Sequence, residues 1–137
     1  MKVLIADGLE KEGVEIFSGK GGVTADVYAS LSPDELKGTI AGYDGLIVRS
    51  ASTVTASVME SAPRLKVIGR AGIGYDNIDV DAASRRGIVV MNTPGANAIT
   101  TAEHALSLLL ALSRHIPQAA ASLKAGKWEK KKFMGVE

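Results

Sequence analysis

The sequence predicts an α/β fold in which a parallel sheet is covered by helices on both faces. Short apolar runs, each of the length of a buried strand, alternate along the first ninety or so residues with stretches of helical periodicity. The connections between these stretches are short, and such alternation favours parallel pairing of the strands. A chain of 137 residues is long enough to bury a core of this kind.

Each predicted element has a local signal in the sequence. The predicted strands cover 3–6, 23–28, 46–48, 67–69 and 88–91. Predicted helices lie between them at 9–17, from Ser32 onward, at 56–61 and at 80–86. The second helix opens with Ser32-Pro33-Asp34-Glu35, which is a capping box with proline at the first helical position. Five strands arranged in this way predict a flavodoxin-like, doubly wound domain.

The pattern changes after Pro94. Residues 92–97 form a turn-rich linker, and Thr100 to Glu103 has the spacing of a second capping box. The helix that follows, predicted over 105–116, has leucines around its whole circumference, which is typical of a buried helix. Pro117 then begins another helix, which runs to Lys124. We therefore expect a second structural unit to begin near residue 98.

Composition excludes several function classes. Sixteen basic side chains against fifteen acidic ones leave a formal charge of +1, which gives no reason to expect a nucleic-acid or membrane partner. The chain has no cysteine, and His104 and His115 lack a third ligand, so we expect no metal site. The first apolar run is too short for a signal peptide or a membrane span, and we expect the protein to be cytoplasmic.

Two loops at predicted strand ends have the residues of an anion site. Arg49 and Ser50 follow the third strand, where a guanidinium, a hydroxyl and backbone amides suit a phosphate or carboxylate. The alternative is a surface arginine followed by a turn of small residues. After the fourth strand, Arg70 precedes a loop containing Gly72 and Gly74, whose amides could approach an anion closely. The alternative there is a plain glycine-rich turn.

This second loop does not have the dinucleotide-binding fingerprint. The spacing that starts at Gly72 and Gly74 would require a third glycine at position 77, which is Asn77. After the fifth strand, the side chain of Asn97 could bind a hydroxyl or carboxylate, or it could simply cap the next helix. These residues alone leave the alternatives open.

Taken together, the loops resemble the N-terminal part of the D-isomer-specific 2-hydroxyacid dehydrogenases, and within that family the phosphoglycerate dehydrogenases. No single motif is decisive, but their order and spacing along nearly the whole chain are specific. The matching strings are GLIVRS at 45–50, LKVIGRAGIGYDNID at 65–79, GIVVMNTP at 87–94, AEH at 102–104, GKWE at 126–129 and FMG at 133–135.

The resemblance implies a two-domain subunit in which a nucleotide-binding domain is inserted into a substrate-binding domain. Residues 1–97 would be the N-terminal part of the substrate-binding domain, and residues 98–137 would begin the Rossmann nucleotide-binding domain with its leading helices. That domain's Gly-x-Gly-x-x-Gly loop is expected just beyond Glu137. In similar enzymes the region matching 100–116 packs between subunits, which implies a homodimer or homotetramer.

The resemblance also implies roles for individual residues. Arg49, Ser50 and Asn97 would contact the phosphate and carboxylate of the substrate, and Arg70 would lie beside them. The amides from Gly72 to Gly74 would hold the substrate carboxylate. Ile73 and Thr101 would be the cofactor contacts, although similar enzymes often have threonine or valine at position 73, so a hydroxyl contact is lost there. Tyr75 is bulkier than expected, and these two departures leave the substrate preference open.

The implied activity is NAD-dependent oxidation of 3-phosphoglycerate to 3-phosphohydroxypyruvate, the first step of serine synthesis. The family's catalytic Arg, Glu and His have no counterpart in residues 1–137, so this chain alone is expected to be inactive. The alternatives are a dehydrogenase of glycerate, glyoxylate or lactate, and a non-catalytic binding module of the corepressor type. A signalling receiver domain is rejected, because such a domain needs an aspartate where this chain has Arg49.

Overall fold

The computed structural model describes residues 1–19 and 21–136. It divides into two compact units, Met1–Ala96 and Asn97–Glu137. In the part of the chain that is described, no helix is long and apolar enough to cross a membrane.

The first unit is built on a five-stranded sheet in the order β2-β1-β3-β4-β5, with every pair parallel. This is the flavodoxin-like strand order, and the predicted fold class is confirmed. All five predicted strands are present, and each of their ends lies within one residue of the predicted one. Their bounds are Lys2–Ile5 (β1), Thr24–Val27 (β2), Gly45–Val48 (β3), Val67–Arg70 (β4) and Val89–Met91 (β5).

A helix follows each of the first four strands. These helices are Lys11–Ser18 (α1), Pro33–Thr39 (α2), Ala56–Glu60 (α3) and Val80–Arg85 (α4), and a short 3₁₀ turn over Ile40–Gly42 extends α2. The capping box at the start of α2 is confirmed: the Glu35 amide donates to the Ser32 hydroxyl, and the Ser32 amide donates to the Glu35 carboxylate. Because crossovers are right-handed, the step from β1 to β2 places α1 on the opposite face from α2, α3 and α4.

The core lies between the sheet and α2–α4. Leu4, Leu46 and Ile68 are register partners on neighbouring strands, and each is at most 1% exposed. They join a single cluster with Leu36 of α2 and Met59 of α3, which are fully buried as well. Each such side chain stabilises the fold by about 1.5–3 kcal/mol relative to an exposed position. This packing fixes the strands, and with them the edge at which they end.

The second unit contains two helices, Ala98–Ser113 (α5) and Ile116–Lys124 (α6), and a 3₁₀ turn at Lys130–Phe133. His115 lies between the helices with a left-handed φ of 52°. No residue of α5 is buried, and its five leucines are 57–69% exposed. The expectation of a buried helix therefore does not hold within this single chain.

The predicted capping box at Thr100 to Glu103 was wrong. The helix begins seven residues earlier than the predicted 105, at Ala98, because the Asn97 carbonyl already accepts the Thr101 amide. Thr100 and Glu103 consequently lie inside the helix, where neither can cap its first turn. The motif had the right spacing, but the helical hydrogen bonds begin ahead of it.

A buried carboxylate holds the amino ends of β1 and β3 together. Asp44, which is 8% exposed, accepts hydrogen bonds from the Lys2 amide at 2.8 Å and from the Arg64 guanidinium at 3.0 and 3.3 Å. The Lys2 amide, and after it Arg64, hold the pKa of the Asp44 carboxyl below its usual value of 3.8. A carboxyl whose pKa is lower in the folded than in the unfolded state stabilises the fold at pH values above its pKa in the unfolded state. This contribution is lost as the pH falls through the pKa of the folded state.

We predict that Asp44→Asn lowers the Tm of the protein by several degrees at neutral pH, because one of the two acceptor oxygens becomes an NH₂ group that cannot accept the Lys2 amide or the Arg64 guanidinium. The difference from the wild type should begin to shrink below about pH 4, near the pKa of the carboxyl in the unfolded chain, and should disappear as the pH falls through the lower pKa of the folded state. Thermal unfolding followed by circular dichroism between about pH 2 and 7 measures this, with the exposed Glu60→Gln as control. A constant difference across that range would contradict the assignment.

Candidate functional site

Three loops meet at the edge of the sheet where the strands end. In the sheet β1 lies beside β3, and β3 lies beside β4, so the residues that follow these strands are brought together. The hydrogen bonds between strands continue one residue past the ends of β1 and β4. The Ala6 amide donates to the Ile47 carbonyl of β3, and the Ala71 amide donates to the Val48 carbonyl of β3. Asp7, Arg49 and the loop that begins at Ala71 therefore emerge side by side.

Asp7 holds the loop after β3 from one side. Its Oδ2 accepts the backbone amides of Arg49 at 2.7 Å and of Ser52 at 3.0 Å. Its Oδ1 accepts the hydroxyl of Ser52, a side chain that is only 1% exposed. The carboxylate is thus fully engaged by donors of a single loop, and it fixes the two ends of the segment 49–52.

Asn77 holds the same two residues from the other side. Its Nδ2 donates to the carbonyl of Arg49 at 2.8 Å and to the carbonyl of Ser52 at 2.7 Å. The Asn77 carbonyl accepts the Val54 amide at 2.8 Å, and Val54 forms a parallel bridge with Ile78. The loops after β3 and after β4 are therefore joined to each other, as expected for neighbouring strands.

The segment between these fixed ends is open to a ligand. Arg49 and Ser50 are exposed, and the backbone amides of Ser50 and Ala51 have no acceptor among the residues that the structure describes. An exposed guanidinium next to unpaired amides and a hydroxyl is an arrangement that binds oxyanions. Arg49 and Ser50, predicted as site residues, are thus adjacent and accessible.

The loop after β4 is held against the chain that follows β5. The Gly72 carbonyl accepts the Thr93 amide at 2.9 Å, and the Ile73 carbonyl accepts the Asn92 side chain at 2.8 Å. The Gly72 amide donates to the Arg70 carbonyl at 2.9 Å. Among the described residues the amides of Ile73 and Gly74 have no acceptor, so these two, rather than that of Gly72, are available for a ligand.

Arg70 lies directly over Gly72. A Cβ added at Gly72 would overlap the Arg70 guanidinium, so glycine at this position leaves the space that the arginine occupies. The Arg70 Nε is buried and has no hydrogen-bond partner in the part of the chain described. A buried donor without a partner is unfavourable unless a ligand or solvent meets it, which marks this position as one that could contact a bound group.

The remaining predicted site residues lie elsewhere. Ile73 is 38% exposed at the tip of the loop after β4. Asn97 and Thr101 belong to the second unit, where Asn97 precedes α5 but makes no side-chain cap, so the capping alternative is not observed. Their roles at a shared site stay predictions. Within residues 1–19 and 21–136, no group of three or more acidic or histidine side chains could hold a metal ion.

Sequence reasoning missed the residues that shape the site. Asp7 is in none of the predicted sites, and Asn77 was noted only because it stands where the dinucleotide-binding fingerprint needs a glycine. The position of Asp7 directly after β1 was a usable signal, because the ends of neighbouring parallel strands share one edge. Asn77 gave no comparable signal, since its partners lie 25 and 28 residues earlier in the chain.

Comparison with known proteins identifies relatives of this chain. The family model described as D-isomer specific 2-hydroxyacid dehydrogenase, catalytic domain, matches residues 3–132. A D-3-phosphoglycerate dehydrogenase of Archaeoglobus fulgidus is 50% identical over 137 residues, which are all of this chain and 26% of that protein. The chain therefore spans about a quarter of the length of that relative.

Solved structures are similar along nearly the whole chain. The TT0316 protein of Thermus thermophilus has 33% identity and a TM-score of 0.87, over 99% of this chain and 45% of that one. An NAD-dependent formate dehydrogenase of Staphylococcus aureus, solved in complex with NAD, has 26% identity and a TM-score of 0.80, over 97% of this chain and 44% of that one. Since the family model covers nearly all of it, the chain belongs to the D-isomer specific 2-hydroxyacid dehydrogenase family.

Proposed function

We propose that the full-length protein is an NAD-dependent 3-phosphoglycerate dehydrogenase that catalyses the first step of serine synthesis. Residues 1–97 would form the N-terminal part of its substrate-binding domain, and residues 98–137 would begin its nucleotide-binding domain. The observation that carries this proposal is the joining of the Arg49 loop to the Gly72–Gly74 loop by Asn77 at one edge of the sheet. The 50% identity to a D-3-phosphoglycerate dehydrogenase supports the choice of substrate.

The substrate carries a phosphate at one end and a carboxylate at the other, and the two loops offer a group for each. Arg49 and Ser50, with the exposed amides beside them, bind the phosphate through charge-assisted hydrogen bonds. The amides of Ile73 and Gly74 donate to the carboxylate, and Arg70 contributes positive charge next to them. Asn97 adds a side-chain contact to the bound acid. In this arrangement the chain orients the substrate by its two anionic ends.

NAD is the proposed cofactor, and it supplies the acceptor for the hydride that leaves the substrate. Ile73 suits a place against this cofactor, because its side chain is apolar and partly exposed. Thr101 would supply a hydroxyl. The solved S. aureus relative bound to NAD supports the same choice. Most of the cofactor site, and the catalytic Arg, Glu and His, would lie outside residues 1–137.

The proposed assembly is a homodimer or homotetramer formed through the 100–116 region. The leucines exposed on α5 support it, because an apolar surface of this size is rarely left in contact with water. A cytoplasmic enzyme acting on a small phosphorylated 2-hydroxy acid is consistent with the near-zero net charge. Neither a nucleic-acid nor a membrane partner is part of the proposal.

We predict that residues 1–137 expressed alone do not reduce NAD in the presence of 3-phosphoglycerate, because they have no residue in the role of proton acceptor. The full-length protein should do so. Absorbance of NADH in parallel assays at equal protein concentration measures both. Turnover by residues 1–137 alone would contradict the assignment of the catalytic groups to the rest of the protein.

We predict that Arg49→Ala in the full-length enzyme raises the KM for 3-phosphoglycerate roughly tenfold to a hundredfold, which is the loss of about 1.5–3 kcal/mol of charge-assisted binding. The kcat/KM for unphosphorylated glycerate should change much less. Arg86→Ala is the matched control, since it removes an exposed arginine at the opposite edge of the sheet.

The effects of Arg49→Ala on the two substrates separate the proposed enzyme from the alternative functions. Equal losses for both substrates would favour a dehydrogenase of glycerate, glyoxylate or lactate over the proposed enzyme. A full-length protein that binds 3-phosphoglycerate and NAD but turns over none of these acids would instead be a non-catalytic binding module.

A further inference from the structure

We propose that Asp7 and Asn77 are positioning residues that together set the conformation of the anion-binding segment 49–52. This inference rests on the proposed function, because it assigns a role in the binding of the same substrate. Neither residue is proposed to touch the substrate. They act through Arg49 and its neighbours.

The two side chains divide the hydrogen bonds of the segment between them. Asp7 accepts the backbone amides of Arg49 and Ser52, and Asn77 donates to the carbonyls of the same two residues. Both residues are thereby held at the N–H and at the C=O. The residues in between, Ser50 and Ala51, have amides without an acceptor in the described part of the chain. The ends of the segment are fixed and its middle is left for a ligand.

The chemistry of each side chain matches its role. An aspartate carboxylate is an acceptor only, and the Asp7 oxygens meet three donors. An asparagine side chain has an NH₂ group, and both of its donors at Asn77 are used by carbonyls. A negative charge close to an oxyanion site repels the anionic ligand. The charge of Asp7 therefore does not favour binding. The contribution of Asp7 is the geometry that its hydrogen bonds impose on Arg49.

A positioning role predicts which substitutions are tolerated. In Asp7→Asn the amide oxygen can still accept both backbone amides, and the NH₂ group can donate to the Ser52 hydroxyl oxygen. Asp7→Ala removes all three hydrogen bonds. Asn77→Asp keeps the size of the side chain but replaces a double donor with a carboxylate that faces two carbonyl oxygens. The conservative change should therefore be harmless at Asp7 and damaging at Asn77.

The test uses steady-state kinetics of the full-length enzyme with 3-phosphoglycerate as the varied substrate. Asp7→Ala and Asn77→Asp should raise KM about tenfold or more with kcat within about twofold, as expected when binding shared by ground state and transition state is lost. Asp7→Asn should have a KM within about threefold of the wild type. The matched control is Asp34→Ala, which removes an exposed carboxylate from α2.

Hydrogen–deuterium exchange provides a readout that does not depend on turnover. The amides of Arg49 and Ser52 should exchange faster in Asp7→Ala, and should stay protected in Asp7→Asn. If Asp7→Ala is not recovered as folded protein, the comparison of Asp7→Asn with Asn77→Asp decides the question by the same kinetics.

Four results would overturn the inference. A lower kcat or active fraction with unchanged KM in Asp7→Ala and Asn77→Asp would show a general structural role. Equal damage from Asp7→Asn and Asp7→Ala would show that the charge matters, rather than the hydrogen bonds. If Arg49→Ala raises KM but Asp7→Ala and Asn77→Asp do not, the inference fails while the proposed function stands. If Arg49→Ala leaves KM unchanged, the proposed function fails, and the inference fails with it.

Discussion

The site depends on one constraint: Arg49 and Ser52 are each held at the backbone N–H and C=O by side chains from other loops. A surface loop of small residues has little packing of its own, and ordering each residue costs about 1–2 kcal/mol of backbone entropy. Here Asp7 and Asn77 supply five hydrogen bonds to the loop, one of them through the Ser52 hydroxyl. The loop is therefore ordered before any ligand arrives, which reduces the entropy lost on binding.

The fold makes this possible by placing the three loops at one edge. The order β2-β1-β3-β4-β5 puts β3 between β1 and β4, so the loop after β3 has the end of β1 on one side and the loop after β4 on the other. The buried residues Leu4, Leu46 and Ile68 fix the register of these strands. At the opposite edge Asp44 joins the amino ends of β1 and β3. The hydrophobic core thus determines the position of the site, and polar side chains determine its shape.

Most of the fold could be predicted from the sequence, because its signals are local. Apolar runs such as Leu46-Ile47-Val48 and the capping box at Ser32 depend on neighbours within a few residues. The start of α5 was predicted wrongly, since Thr100 has the right spacing to cap a helix and only the backbone hydrogen bonds reveal that the helix begins before it.

The site could be predicted only in part, because most of its contacts are not local in the sequence. Arg49 was recognisable from its chemistry and its place after a strand. The place of Asp7 after β1 could have assigned it to the same edge of the sheet. The contacts of Asp7 and Asn77 themselves join residues that are 25 to 45 positions apart, and no local pattern in a single sequence reports which groups they bind. The overlap of Arg70 with the space above Gly72 is likewise a matter of side-chain packing, which sequence spacing does not specify.

The most direct measurement is a crystal structure of the full-length protein with 3-phosphoglycerate bound. Our account requires the phosphate to lie within hydrogen-bond distance of the Arg49 guanidinium and of the Ser50 or Ala51 amide, and the carboxylate to lie at the amides of Ile73 and Gly74. It also requires the segment 49–52 to keep its hydrogen bonds to Asp7 and Asn77. A ligand bound away from Arg49, or a segment 49–52 that has left Asp7 and Asn77, would contradict it.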